Sequence, residues 1–262
     1  MQQTSERPLV LITNDDGYQA RGLAALTRVI GTVADVIVAA PDRGNSGKSH
    51  SITVMQALTA KRLRSFDGAL EAYAISGTPV DCVKLAVHTL VPRRPDFVLS
   101  GINHGSNTSA SVHYSGTLGA AREGALLGIP SVGFSLASYD PEADIDHAAQ
   151  IAAGIFGQIS RRADALKSAY LNVNIPTGRP LGIRTCRMVA GHWNETAHHF
   201  KDPFGTHNYW LDGEYVNNEP DARDTDEYWL AQNYATVTPC RLDVTDYDLI
   251  NCLKSDIDTT ES

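Results

Sequence analysis

The chain has 262 residues, of which 42% are hydrophobic and 20% charged, a composition typical of a folded globular protein rather than a disordered one. Its formal net charge is −8 and it has no run of lysine or arginine, which argues against a nucleic-acid polymer as a partner. Residues 1–7 are polar and no apolar run approaches about 18 residues, so we expect a cytoplasmic protein without membrane contact. The four cysteines form no C-x-x-C pair, so we expect neither a zinc knuckle nor a disulfide framework.

The first predicted element is a buried strand that ends in a polar turn. Residues 9–12 are continuously apolar, as in a parallel strand covered on both faces, and Asn-Asp-Asp-Gly follows at 14–17. In open α/β sheets, functional groups gather beyond the carboxyl ends of such strands. Two adjacent carboxylates repel each other unless they are solvated, share a proton or hold a hard divalent cation. Asp15 and Asp16 are therefore candidate metal ligands, although a solvated turn explains this segment equally well.

A second polar loop follows the next strand. The sequence predicts a helix over residues 22–33, a strand over residues 35–40 and then a loop rich in glycine and hydroxyl groups over residues 42–49. Gly-Lys-Ser at 47–49 resembles the end of a phosphate-binding P-loop, but that motif needs glycine where this chain has Asp42. The first turn also lacks the G-x-G-x-x-G pattern of dinucleotide-binding folds. ATP hydrolysis and a dinucleotide cofactor are therefore disfavoured.

The next two strands also end in polar segments. A strand, a turn and a helix capped by Thr78 are followed by a strand over residues 95–99. Residues 100–107 contain two asparagines and two glycines, which ordinary turn chemistry explains as well as a binding site does. In a binding site, Asn103 would add a neutral oxygen ligand to a cation, and Asn107 would contact the substrate.

A hydroxyl-rich segment precedes the next predicted helix. Tyr-Ser-Gly-Thr at 114–117 leads into an alanine- and leucine-rich helix over residues 118–127. Thr117 as a simple N-cap explains this segment, yet hydroxyls and free N–H groups at a helix start also form a phosphate site. Three predicted strands, ending near Thr13, Ala40 and Leu99, likewise run into glycine and small polar residues. Parallel topology would bring all of these segments to one edge of the sheet.

The alternation of strands and helices continues beyond this point. A strand over residues 131–135, a long helix over residues 143–166 and a strand over residues 170–175 follow. This alternation predicts an α/β fold, a doubly wound, Rossmann-like and mostly parallel sheet.

The C-terminal part has a different character. From about residue 184 it is aromatic, polar and acidic, and its histidines lack a metal-ligand spacing such as H-E-x-x-H. Residues 208–216 predict a hairpin around Asp212-Gly213, which is a strong turn dipeptide. An isolated hairpin is only marginally stable in water, so we expect this one to pack against another part of the protein or against a neighbouring subunit. A helix over residues 225–234, a strand over residues 235–244 and a last short element complete the chain.

Motifs in a fixed order connect these segments. They are N-D-D-G at 14–17, P-D-R-x-x-S-G at 41–47, S-G-T-P-x-D-C-V at 76–83, and S-G-I-N-x-G-x-N followed by Y-S-G-T-x-x-A-A-R-E-G at 100–107 and 114–124. Any one of them would be weak evidence, but in this order the sequence resembles the SurE family of survival-protein nucleotidases over about residues 8–135. The resemblance implies a metal-dependent, acid-tolerant phosphatase that hydrolyses nucleoside 5′- and 3′-monophosphates and sometimes short polyphosphate.

The resemblance also implies roles for individual residues. One divalent cation per subunit, Mg²⁺ or Mn²⁺, would be held by four ligands, Asp15, Asp16, Ser46 and Asn103. The phosphate would lie among six further residues, Asn14, Gly47, Asn107, Ser115, Gly116 and Thr117. Family members usually have Ala-Pro-Gly at 20–22, where this chain has Ala-Arg-Gly, and a glycine and an acidic residue in place of Ser109 and Ser111. These departures concern the substrate rather than the metal.

The implied reaction is hydrolysis of a phosphomonoester by a metal-activated water, with Asp15 or Asp16 as the catalytic residue that orients or deprotonates it. A nucleophilic aspartate is less favoured, because the turn lacks the D-x-D signature of aspartyl-phosphate enzymes. A nucleotide-sensing protein that binds through the same loops without turnover is the alternative from another class.

The resemblance bears on domains and assembly as well. We expect residues 1–190 to form the Rossmann-like catalytic domain that binds metal and nucleotide, and residues 191–262 to form a C-terminal hairpin and oligomerisation segment. The resemblance implies that the hairpin is exchanged with a neighbouring subunit, which predicts a homodimer or homotetramer.

Overall fold

The structure is a computed structural model that describes residues 7–166 and 168–257. Within these residues the strands form one sheet of nine strands and one of two. The strands are β1 (Leu9–Thr13), β2 (Asp35–Pro41), β3 (Ala60–Arg62), β4 (Glu71–Ile75), β5 (Phe97–His104), β6 (Ser131–Leu136), β7 (Ala169–Ile175), β8 (Ile183–Thr185), β9 (Gly191–Lys201), β10 (His207–Asn217) and β11 (Ala235–Arg241). The helices are α1 (Arg21–Ile30), α2 (Pro79–Leu85), α3 (Ser111–Tyr114), α4 (Gly116–Leu126), α5 (Ile145–Ile159), α6 (Asp226–Ala231) and α7 (Tyr247–Ile257).

The nine-stranded sheet runs in the order β3-β4-β2-β1-β5-β6-β7-β11-β8. Every pairing from β4 across to β7 is parallel, while β3 runs antiparallel to β4 and β11 runs antiparallel to β7. The chain starts in the middle of the sheet with β1 and winds outward in both directions. The predicted α/β class and the mostly parallel, doubly wound sheet are confirmed.

Helices cover both faces of this sheet. On one face, Leu26 of α1 and Phe156 of α5 pack against alternate residues of the central strands. On the other face, Val83 of α2 and Ala120 of α4 pack against the intervening residues. All five residues of β1 are buried as a result, which is why its sequence is continuously apolar up to its last residue.

Two predicted elements differ from those observed. The helix predicted over residues 143–166 is α-helical only to Ile159 and continues as a 3₁₀ segment, Ser160–Leu166, in which Arg162 is non-helical with φ −129°. The strand predicted to end at residue 99 continues to His104, because β5 pairs again with β6 beyond an irregularity between Ser100 and Asn103. Such a bulge bends a strand and re-aims its side chains, so Asn103 comes from a strand rather than from a turn.

The two-stranded sheet is a hairpin whose turn was wrongly predicted. Asp212 and Gly213 lie in the middle of β10 and pair with β9, and Gly213 does not have a positive φ. The turn is upstream, where the Asp202 carboxylate accepts hydrogen bonds from the N–H groups of Phe204 and Thr206, each at 2.9 Å, and Gly205 has φ +83°. A continuous ladder between two long strands pairs more backbone groups than two short strands around Asp212-Gly213 would.

The chain after the hairpin returns to the main body. Strand β11 lies between β7 and β8 in the large sheet, although it follows residue 190. The division of the chain at that residue therefore stays a prediction. Helix α7 is exposed along its described side chains, with Leu249 and Leu253 on its surface. Among the described residues, no helix is both long enough and apolar enough to cross a membrane.

Candidate active site

Parallel topology places the polar strand ends of the sequence around one cleft. The cleft has a volume of about 480 Å³ and lies at the carboxyl ends of β1 and β5, beside the start of α4. Six of the residues singled out from the sequence line it, namely Asp15, Ser46, Gly47, Asn103, Asn107 and Ser115. The other four, Asn14, Asp16, Gly116 and Thr117, are not among the lining residues.

Asp15 is held where the start of α4 meets the end of β1. It is 4% exposed, and Thr117 donates its hydroxyl to the Asp15 carboxylate. A Cβ on Gly116 would lie 2.8 Å from the Asp15 Cβ, so only glycine allows the helix to begin this close to the carboxylate. The pKa of Asp15 is raised to about 6, chiefly by burial and also by the charge of Asp16, while the Thr117 hydrogen bond acts in the opposite direction.

The N-cap of α4 is Ser115, so the simple explanation of Thr117 as the capping residue does not hold. The Ser115 hydroxyl accepts a hydrogen bond from the Leu118 N–H at 3.1 Å. Thr117 is the second residue of the helix and is fully buried, and its hydroxyl donates to Asp15. The helix start therefore contributes a hydroxyl to the turn after β1, a contact that local capping rules do not predict.

Two buried oxygen atoms beside Asp15 have no hydrogen-bond partner within the described structure. They are the Oδ2 of Asp16 and the Oδ1 of Asn14, whose amide nitrogen donates to the Gly17 carbonyl at 3.0 Å. Burial raises the pKa of Asp16, although its carboxylate accepts a hydrogen bond from the His104 N–H, which lowers it. A buried acceptor without a donor is costly, and a cation would remove that cost.

The residues at this site fit a hard divalent cation, because a cation would pair with the unpartnered oxygens of Asp16 and Asn14. Two carboxylates, the Ser46 hydroxyl and the Asn103 amide oxygen form an oxygen-only donor set of the kind that Mg²⁺ or Mn²⁺ prefers. The Asn103 amide nitrogen already donates to the Gly105 carbonyl at 2.8 Å, which fixes the side chain of this candidate ligand. No group of three or more His, Cys, Asp or Glu side chains in the described structure is arranged to hold a metal, and the hairpin histidines are included in that statement.

The loop that carries Ser46 and Gly47 is fixed at both ends. At its start, the Asn45 N–H donates to the Asp15 carbonyl at 2.7 Å. At its end, the Ser49 N–H donates to the Tyr114 carbonyl at 3.1 Å. A Cβ on Gly119 of α4 would lie 2.3 Å from the Ser49 carbonyl oxygen, so the loop backbone rests directly on the helix. These contacts position the loop against the same helix start that holds Asp15.

A buried glutamate strengthens this attachment. Glu123 of α4 contacts the His50 ring nitrogen Nε2 at 2.8 Å and accepts a hydrogen bond from the Lys84 ammonium at 2.8 Å. The hydrogen bond from His50, followed by the one from Lys84, lowers the pKa of Glu123 despite its burial. The sequence places Glu123 in a motif, but its partners come from distant segments and could not be predicted from that motif.

Asn107 is fixed by the neighbouring strands. Its N–H donates to the Asn174 side chain, its amide nitrogen donates to the Ser135 hydroxyl, and its carbonyl accepts from Asn172, each at 2.7 Å. This network sets the position of the segment between β5 and α3 at the cleft. The proposed contact of Asn107 with phosphate stays a prediction.

Asp226 holds the adjacent residues of that segment and was not singled out from the sequence. It is fully buried and accepts hydrogen bonds from the N–H groups of Ser109 at 3.1 Å, Val189 at 3.0 Å and Glu227 at 2.9 Å. Burial nevertheless raises the pKa of Asp226. An aspartate in the first turn of a helix has an ordinary explanation in the helix dipole, so this role of Asp226 could not be predicted from the sequence.

We expect Asp226→Asn to lower the free energy of unfolding by about 2 kcal/mol, because an amide nitrogen would replace a charged acceptor among backbone donors. Urea denaturation measures the change. Asp224→Asn is the matched control, since Asp224 is exposed and pairs with Arg187 at the surface. Equal stability of the two variants would contradict a structural role for the buried carboxylate.

Other cleft residues were also missed in the sequence. They are His104, Ser106, Tyr139, Trp193 and Glu195. The last two lie on β9, far along the chain from every motif, and no local pattern indicates that they reach the cleft.

Similarity to known proteins is consistent along nearly the whole chain. A family model described as survival protein SurE matches residues 10–195. Proteins named 5′-nucleotidase SurE include one from Phocaeicola vulgatus, 43% identical over 95% of this chain and 97% of that protein, and one from Cytophaga hutchinsonii, 42% identical over 95% and 97%. The crystal structure of the SurE protein from Aquifex aeolicus matches with a TM-score of 0.82 and 33% identity, covering 96% of this chain and all of that one.

Proposed function

This chain belongs to the survival protein SurE family, and on that premise we propose that it is a 5′-nucleotidase that releases phosphate from nucleoside monophosphates with the help of a divalent cation. The observation that carries the proposal is the meeting of Asp15, Ser46 and Asn103 in one cleft beside the start of α4. A buried and unpartnered oxygen of Asp16 lies next to them. This arrangement suits a cation and a phosphate better than it suits an uncharged ligand.

In this proposal Asp15, Asp16, Ser46 and Asn103 hold one Mg²⁺ or Mn²⁺ ion. When bound there, the cation would supply an activated water and would neutralise negative charge on the phosphate. One of the two aspartates orients the water and takes up its proton. Gly47, Ser115 and the N–H groups at the start of α4 surround the phosphate, with Asn14, Asn107, Gly116 and Thr117 supporting them.

We extend the proposal to nucleoside 3′-monophosphates and short polyphosphate, because the hydroxyl and amide groups that line the cleft suit the phosphate itself.

Phosphate release tests the proposal directly. Purified protein is incubated with 5′-AMP, 3′-AMP and tripolyphosphate in excess chelator, then with Mg²⁺ or Mn²⁺ restored. We expect release that depends on the cation. Binding of 5′-AMP by calorimetry without phosphate release under any of these conditions would instead show a nucleotide-sensing protein.

We also propose that the β9–β10 hairpin and α7 join copies of the chain into a homodimer or homotetramer. Large apolar side chains are exposed on both elements in the single chain, among them Trp210 at 68% and Leu211 at 71%. On α7, Leu249, Leu253 and Ile257 follow at four-residue spacing and therefore share a face. Such exposed apolar groups are typical of surfaces that are covered in an assembly.

We expect removal of residues 192–216, with Gly191 joined to Asn217, to give a smaller assembly. These two residues are paired across the hairpin, so the main sheet keeps its connections when the hairpin is removed. Light scattering measures the mass, and circular dichroism checks that the remaining fold is intact. A folded variant with the mass of the full chain would show that the hairpin makes no contact between subunits.

A further inference from the structure

The cleft is lined by groups of two different chemistries. Carboxylate, hydroxyl and amide groups line it, and so do Tyr114, Tyr139, Trp193 and Glu195. Flat aromatic groups of this kind are poor partners for phosphate. They suit a planar, apolar part of the same ligand.

Trp193 and Glu195 reach the cleft from the same face of β9. Side chains alternate between the two faces of a strand, so residues two apart point to one side. The intervening Asn194 lines a separate surface depression on the hairpin. The Trp193 ring packs edge-on against Tyr215, with ring centroids 5.9 Å apart and an interplanar angle of 67°. This contact braces the indole while 37% of the residue stays exposed.

Tyr139 approaches the cleft from the segment after β6. It is 81% exposed, which excludes a role in the hydrophobic core. A Cβ on Gly105 would lie 2.4 Å from the Tyr139 Cε1, so the ring lies against the backbone that connects Asn103 with Asn107. The same contact accounts for glycine at this position, whose φ of +98° also favours it. An exposed aromatic ring is thereby placed beside the residues proposed to bind metal and phosphate.

The Glu195 carboxylate has no hydrogen bond or ion pair within the described structure. An ionised carboxylate only accepts hydrogen bonds, and its two oxygens match two adjacent N–H donors. Beside an aromatic surface, it is therefore suited to the edge of a base that presents such donors. Guanine presents both N1–H and a 2-amino group on one edge, whereas hypoxanthine lacks the amino group.

We propose that Trp193 and Tyr139 stack on the nucleobase and that the Glu195 carboxylate accepts hydrogen bonds from the N1–H and 2-amino groups of guanine. GMP is then preferred over IMP. The inference rests on the proposed function, because these residues meet a base only when the phosphate of the same nucleotide is held in this cleft. Stacking on aromatic side chains accepts any base, so it supplies affinity, and the carboxylate supplies selectivity.

Trp193→Ala tests the stacking surface. We expect kcat/KM for GMP to fall about tenfold, mostly through KM, and activity on ribose 5-phosphate, which has no base, to stay unchanged. Trp210→Ala is the matched control, because Trp210 is an exposed tryptophan on the same hairpin that does not line the cleft. Equal losses on GMP and ribose 5-phosphate, or no loss on GMP, would overturn the stacking role.

Glu195→Gln tests the selectivity, with Glu214→Gln on the opposite strand as its control. We expect wild type and the control to prefer GMP over IMP by about tenfold, and Glu195→Gln to lose that preference. The same ratio of GMP to IMP hydrolysis in all three proteins would overturn the proposed hydrogen bonds between Glu195 and the base. If wild type hydrolyses neither nucleotides nor ribose 5-phosphate, the proposed function itself fails, whereas hydrolysis without any effect of the base refutes only this inference.

Discussion

Asp15→Asn is expected to lower turnover by about three orders of magnitude without unfolding the protein, and Asp16→Asn is expected to do the same. Each change removes a negative charge from the candidate metal site but keeps the shape of the side chain. The Thr117 hydroxyl can still donate to the amide oxygen of the first variant. The substitution also removes the cost of burying a carboxylate whose pKa is raised to about 6.

Activity and stability should therefore move in opposite directions for Asp15→Asn. The folded-state pKa is above the value of an unfolded aspartate, so the ionised carboxylate destabilises the fold as the pH rises through that pKa. At pH 8 in chelator, the variant should unfold at a temperature no lower than that of the wild type. Asp67→Asn is the control, because Asp67 is exposed and lies outside the cleft. Full activity of both site variants, or full activity in excess chelator, would refute the proposed metal site.

Gly119→Ala is expected to lower turnover by about a hundredfold, since displacements near 1 Å in a catalytic site have effects of that size. The added Cβ would lie 2.3 Å from the Ser49 carbonyl oxygen, and a backbone atom cannot turn aside as a side chain can. The loop with Ser46 and Gly47 must then move away from α4. Phosphate release at saturating substrate and cation measures the effect.

Gly154→Ala provides the matched helix substitution. Gly154 lies in α5 with nothing within 4 Å of the added Cβ, so the change should leave turnover unaltered and stabilise the helix by about 1 kcal/mol. Helical content measured by circular dichroism should be preserved in both variants. Unchanged turnover in Gly119→Ala would show that the position of the loop does not limit the reaction.

The polar ends of the strands could be predicted from sequence because two local rules act together. Apolar runs identify buried parallel strands, and the parallel direction brings their carboxyl ends to one edge. Asp15 and Asn103 follow from these rules even though Asn103 belongs to an extended strand. Ser46 was predicted as a metal ligand only from the family resemblance of the ordered motifs, because the patterns that identify strands and turns do not single it out.

The remaining features depend on contacts between distant segments. An N-cap was the simple alternative for Thr117, but Ser115 two residues earlier caps the helix and Thr117 donates to Asp15. Asp212-Gly213 is a strong turn dipeptide, yet a longer ladder between β9 and β10 places it within a strand. Trp193 and Asp226 acquire their positions only when the C-terminal part of the chain packs beside the cleft. Sequence periodicity does not predict contacts between segments that are far apart in the chain.

The position of β11 in the large sheet has a consequence for the order in which a nascent chain can fold. Strand β8 pairs with β11 and not with β7, although β7 is synthesised just before it. Until residues 235–241 leave the ribosome, β8 has no place in the sheet and the outer edge of β7 carries unpaired backbone groups. Unpaired edges are prone to intermolecular pairing. Translation that stalls between β8 and β11 should therefore leave a product that aggregates, even though every residue of the cleft contributed by α4 and the preceding strands has already been made.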